Sequence, residues 1–75
     1  MFRNNLVKRA VRRRFAVTLR GNEGVFSGVL TEFDRNVYVF EQCQTVPANE
    51  GGTPNPIKGR VFVERESVAY MQDLT

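Results

Sequence analysis

FAVTLRGNEGVFSGVLTEFDRNVYVF, residues 15–40, carries the clearest strand pattern in this chain. From Phe15 to Leu19 the residues alternate, with Phe15, Val17 and Leu19 on one side and Ala16, Thr18 and Arg20 on the other. A period of two is the mark of a half-buried strand. GNEG at 21–24 reads as a hairpin turn, because both glycines tolerate positive φ. A second strand runs from Val25 to Phe33. Phe26, Gly28 and Leu30 keep one face, and Phe33 breaks the alternation by one place. A glycine and a phase slip inside one long strand predict a bulge or a sharp bend. FDRN at 33–36 is a short turn in which Asp34 and Asn36 can bond their own backbone. VYVF at 37–40 opens a third strand.

Downstream, QTVPANEGGTPNP at 44–56 holds three prolines and two glycines, which excludes a central strand. Beyond it, IKGRVFVERESVAYM at 57–71 supplies a fourth strand around Val61 and Val63, a tight ERES turn, and a fifth strand from Val68 and Tyr70. Upstream, NNLVKRAVRRR at 4–14 reads differently. Leu6, Val7, Ala10 and Val11 fall on one stripe of a helix over about 4–13, which Asn4 or Asn5 can cap. Arg12, Arg13 and Arg14 lie at its end, where the macrodipole favours cations. So short a helix is marginal alone, and it must dock that stripe to persist.

Charge is split along the chain. Residues 1–20 carry seven of the eleven Lys+Arg and no acid, a charge of +7. Residues 21–75 carry the other four bases and all eight acids, a charge of −4. A basic arm on an acidic body points to an anionic partner met through the arm, with a solvated helix face as the plain alternative. The arm is Arg-rich and acid-free like a transit peptide, but it is short and has no serine.

Catalytic chemistry finds little footing. There is no histidine, and the one cysteine, Cys43, cannot form a disulfide or a zinc site of the usual kind. No glycine loop precedes a Lys-Ser or Lys-Thr pair. Glu64 and Glu66 flank Arg65 and could hold magnesium, though acids at a tight turn are usually just solvated. The expectation is a protein that is not an enzyme and takes no metal or cofactor. A lone cysteine and no signal peptide fit a reducing, cytoplasmic setting. VYVF is too short an apolar run to span a membrane. Seventy-five residues make one domain, 1–75, with a thin core, and oligomerisation is the natural missing stabiliser.

These residues together resemble the Sm-like (LSm, Hfq-type) RNA-binding family. The first Sm motif is matched by Val17, Leu19, Gly21 or Gly24, Gly28, Leu30, Phe33, Asp34 and Val37, within about 15–43. The second is matched by Gly59, Val61, Val63, the Glu64–Ser67 turn, Val68 and Tyr70, within about 57–74. The variable loop would be about 44–56, and the resemblance covers about 4–74. It implies a mainly β, SH3-like small barrel of five bent antiparallel strands behind an N-terminal α-helix. It also implies a homo-oligomeric ring of about five to seven subunits, closed through strands 61–63 and 68–71. Single-stranded RNA, possibly single-stranded DNA, is the implied ligand.

The departures fall on the base-reading residues. Asn36 holds the family's stacking place and Tyr38 the place of its Asn. Glu64 and Arg65 stand where Arg-Gly is usual, and the first hairpin turn is one residue longer. The family's uridine pocket is therefore not reproduced. The expected nucleic-acid contacts are Asp34, Arg35, Asn36, Tyr38 and Arg65 on the loop face, and Arg9, Arg12 and Arg13 on the arm. A ring-shaped protein scaffold or adaptor without a nucleic-acid ligand, and a monomeric SH3-like or OB-like module, are the alternatives.

Overall fold

The computed structural model describes residues 10–47 and 51–75. They form a mainly β domain with six antiparallel strands in one sheet that does not close. The strands are β1 (Arg14–Leu19), β2 (Val25–Phe33), β3 (Val37–Thr45), β4 (Pro56–Ile57), β5 (Val61–Glu64) and β6 (Val68–Asp73). Their order is β4-β3-β2-β1-β6, and β5 also pairs with β3. A small β-rich fold of this kind is compatible with a barrel-like domain.

The alternation in 15–40 decides which side chains go inside. Val17, Leu30 and Phe40 are fully buried, and Phe15, Phe26, Cys43, Val63 and Val68 complete the core. Phe26 and Phe40 meet edge to face with centroids 5.3 Å apart. The expected bend in β2 is present as two register shifts, between Ser27 and Val29 and between Leu30 and Glu32. Gly28 stands there for want of room: a Cβ would come within 2.6 Å of Cys43 Sγ and 3.2 Å of Phe40 Cβ. The turn glycines Gly21 and Gly24 do adopt positive φ, 68° and 125°.

Three expectations need correction. The strands number six, not five, because β3 runs on to Thr45 and Pro56–Ile57 folds back on its far end as β4. Cys43 pairs with Ile57 and Gln44 with Pro56. A proline is tolerated there because β4 lies at a sheet edge, where no ladder donor is demanded of it. The loop at 44–56 is thus strand at both ends. The sheet, second, is open rather than a closed barrel: among the described residues β5 pairs only with β3 and β6 only with β1.

Third, the N-terminal helix is not supported. Residues 4–9 of the expected 4–13 lie outside the described residues. Of the described remainder, Ala10 alone is helical, and Val11 and Arg12 form a turn. The reason is a competing set of partners. Arg12 N–H donates to the Leu30 carbonyl at 2.6 Å, and Leu30 N–H donates to the Arg13 carbonyl at 3.0 Å. These bonds draw the chain onto β2, and Arg12 takes φ 72° to reach them. Ala10 and Val11, members of the expected apolar stripe, do pack against the core. No described helix is long and apolar enough to cross a membrane.

Candidate nucleic-acid interface

Two turns meet at one end of the sheet. The first, between β2 and β3, is built by Asp34. Its Oδ1 accepts the N–H groups of Asn36 and Val37, each at 2.7 Å. Those two bonds, the Asn36 bond foremost, hold the Asp34 carboxyl below its ordinary range, helped by the charges of Arg65 and Arg35. The second is the single 3-10 turn Arg65–Ser67 between β5 and β6. Arg65 ties the two together. Its backbone N–H donates to the Asn36 carbonyl at 2.8 Å, and its guanidinium donates to the Asp34 carbonyl at 2.9 Å. The result is a shallow cleft of about 280 Å³ lined by Arg35, Asn36, Glu64, Arg65 and Glu66.

Tyr38 lies beside this cleft and is partly buried. Its ring leans on Phe40 at 6.2 Å, and the Arg65 guanidinium covers it at 4.9 Å. A base can stack on Tyr38 only if Arg65 swings aside. Of the five expected loop residues, Arg35, Asn36 and Arg65 therefore share the cleft. The Asp34 carboxylate is engaged in forming the turn, and Tyr38 packs on Phe40 at the face of the sheet.

The basic arm is divided in a way its sequence does not suggest. Arg9 lies outside the described residues. Arg13 pairs with Asp73 at 2.8 Å, closing β1 against the end of β6. Arg14 lies on the outer face of β1 and donates to Ser27 Oγ at 3.4 Å and the Gln42 carbonyl at 3.1 Å. Among the described residues Arg12 is the one of the three whose side chain makes no hydrogen bond or ion pair. It opens into a cleft of about 640 Å³ on the outer side of the sheet, with Val29, Thr31, Glu32, Glu41 and Gln42.

Other reactive groups sit poorly for chemistry. Cys43 is buried under Gly28, and that burial pushes its thiol up, with Arg14 opposing the shift only in part. Among the described residues no group of three or more Cys, Asp and Glu could hold a metal ion.

A surface that the motif-based reading missed lies on the outer face of β3 and β5. Phe33, Val37, Val39 and Phe62 line a groove of about 360 Å³ rimmed by Glu32 and Asp34. Val39 is buried there, beneath Phe62, although it faces away from the core. Arg60 sits over the Phe62 ring at 5.4 Å and pairs with Glu32 at 3.4 Å. The signal was available, since alternation in VFVE places Phe62 opposite Val61 and Val63.

Comparison with protein-family models, with curated proteins and with solved structures finds no match for this chain.

Proposed function

We propose that this protein is a non-catalytic binder of single-stranded nucleic acid, RNA first, acting as a homo-oligomeric ring through its two open sheet edges. The observation that carries the reading is the tie made by Arg65. It brings Arg35, Asn36 and Arg65 into one cleft at the end of β5. Two guanidiniums and an amide share one cleft and can donate to a phosphodiester chain. Repeated around a ring, that cleft becomes a continuous track for one strand. The resemblance to Sm-like proteins supports the ring of about five to seven copies, and the open edges of β5 and β6 support it physically. Unpaired edges invite association, and a head-to-tail contact that closes removes them all. Arg12 extends the cationic surface on the arm side.

Oligonucleotide titrations over a range of salt test this. Each phosphate contact contributes about 0.7 to the slope of log affinity against log salt for a single strand. Arg35→Ala with Arg65→Ala should lower that slope by about two such contacts and weaken binding to every sequence alike. Unchanged affinity and slope in the double variant would remove the loop face from the function. Arg12→Glu reads the arm separately. Arg13 is unsuited to that purpose, because its loss also frees Asp73.

A second reading is a protein-binding adaptor. Glu64 and Glu66 share the cleft with Arg35 and Arg65, so its charge is balanced rather than cationic. A partner of mixed charge would suit it. Competition decides between them, since excess RNA displaces a labelled oligonucleotide from the first kind of site and leaves a protein partner bound in the second.

A further inference from the structure

The groove on the outer face of β3 and β5 carries its charge and its aromatic surface on opposite walls. Glu32, Val39 and Phe62 stand in one row across β2, β3 and β5, since Glu32 pairs with Val39 and Val39 with Phe62. In the next row toward the turn, Asp34 N–H donates to the Val37 carbonyl at 2.9 Å. The two carboxylates therefore lie on the β2 side, and the Phe62 ring, 63% exposed, stands on the β5 side. Val37 and Val39 form the floor between them. Among the described residues, the charged groups that line the groove are both acidic.

The molecule already holds one cation against these walls. The Arg60 guanidinium lies 5.4 Å from the centre of the Phe62 ring, and its Nη1 is 3.4 Å from Glu32 Oε2. Both side chains of that ion pair are exposed, 52% for Arg60 and 66% for Glu32. So exposed a pair contributes little and exchanges readily for another cation.

We propose that this groove receives an arginine side chain of a partner protein, presented on a segment with apolar neighbours. The incoming guanidinium lies against Phe62 and pairs with Glu32, as Arg60 does, and Asp34 adds a second negative charge. Its methylene stem and the flanking apolar residues cover Val37 and Val39. Charge selects this occupant. A phosphodiester strand or an acidic peptide would meet two carboxylates and no cation in the lining. An uncharged segment would gain only the apolar floor. The assignment does not depend on the nucleic-acid reading, whose cleft is lined by other residues.

The test titrates acetyl-Leu-Arg-Leu-amide into isotope-labelled full-length protein and follows the backbone amide resonances. Saturable shifts should centre on Glu32, Val37, Val39 and Phe62. The same peptide with citrulline for arginine keeps the shape and loses the charge, and it should bind about threefold to tenfold more weakly. Glu32→Gln should bring the arginine peptide close to the citrulline value. Arg60→Ala, which frees Glu32, should tighten the arginine peptide by about twofold or more. Equal affinity for the two peptides would reduce the groove to an apolar patch and overturn the proposal. Shifts confined to Arg35, Asn36, Glu64, Arg65 and Glu66 would place the peptide in the loop cleft and overturn it as well. A full-length chain with Arg3→Glu, Lys8→Glu and Arg9→Glu checks the remaining occupant. If binding occurs only in that variant, the groove belongs to the protein's own basic arm and the partner assignment fails. No saturable shifts in either form would also overturn it.

Discussion

Phe40 and Phe62 are one strand apart in the same sheet, and they do opposite work. Phe40 pairs with Val61 across β3 and β5, points inward and is fully buried. Phe62 pairs with Val39, points outward and is largely exposed. A change of one residue in position moves an aromatic ring from the face that folds the monomer to the face that is left over. The inner face is committed to stability. The outer face of a chain this small is where recognition is affordable, because substitutions there leave the core intact.

That contrast breaks most readily at Phe40. Phe40→Ala should cost about 3–5 kcal/mol, the usual range for a buried aromatic, and leave little folded protein. Chemical denaturation read by circular dichroism checks it. Gly28→Ala should follow at about 1–3 kcal/mol, because its new methyl must displace Cys43 Sγ or the β3 backbone. Cys43→Ala in the Gly28→Ala background should recover part of that loss, since it removes the clashing sulfur.

On the outer face the same experiment should read almost nothing. Phe62→Ser should change stability by no more than about 0.5 kcal/mol, as exposed positions do. A loss as large as that of Phe40→Ala would erase the distinction between the faces.

Acid provides a milder probe of the turn that links them. The folded pKa values of Asp34 and Asp73 lie below the ordinary 3.8. Their stabilisation is therefore complete above that value and lost as pH falls through the folded values. Unfolding followed from pH 6 down to pH 2 should show stability falling at the acid end. In Asp34→Ala, which lacks the acceptor for Asn36 and Val37, that acid-side slope should be shallower and the stability at neutral pH lower. An unchanged slope would mean that the turn does not depend on the carboxylate.

Much of this was legible in the sequence. The alternation of Phe15, Val17, Phe26, Leu30 and Phe40 marks the inner face, and the phase slip at Phe33 signals the bend in β2. Asp34 and the turn glycines are where turn chemistry requires them. The candidate site was only partly legible. Arg35, Asn36 and Arg65 converge as expected, whereas Tyr38 is covered and Arg13 and Arg14 are engaged in tertiary bonds. Pro56 reads as a strand breaker and sits in a strand, because an edge asks nothing of its missing N–H.

Five of the six strands, the turns and the inward-facing residues of those strands follow from the sequence, since period, glycine placement and turn residues are local physics. Only the folded chain shows which partners Arg13, Arg14 and Arg65 take and where, among the described residues, the chain leaves its helical pattern. It also decided which edges of the sheet lie open. Each of those depends on a partner distant in sequence: Leu30 for Arg12, Asp73 for Arg13, Gln42 for Arg14 and Asn36 for Arg65. A hydrogen-bonding group takes the partner that folding brings to it, and no local pattern records which one that will be.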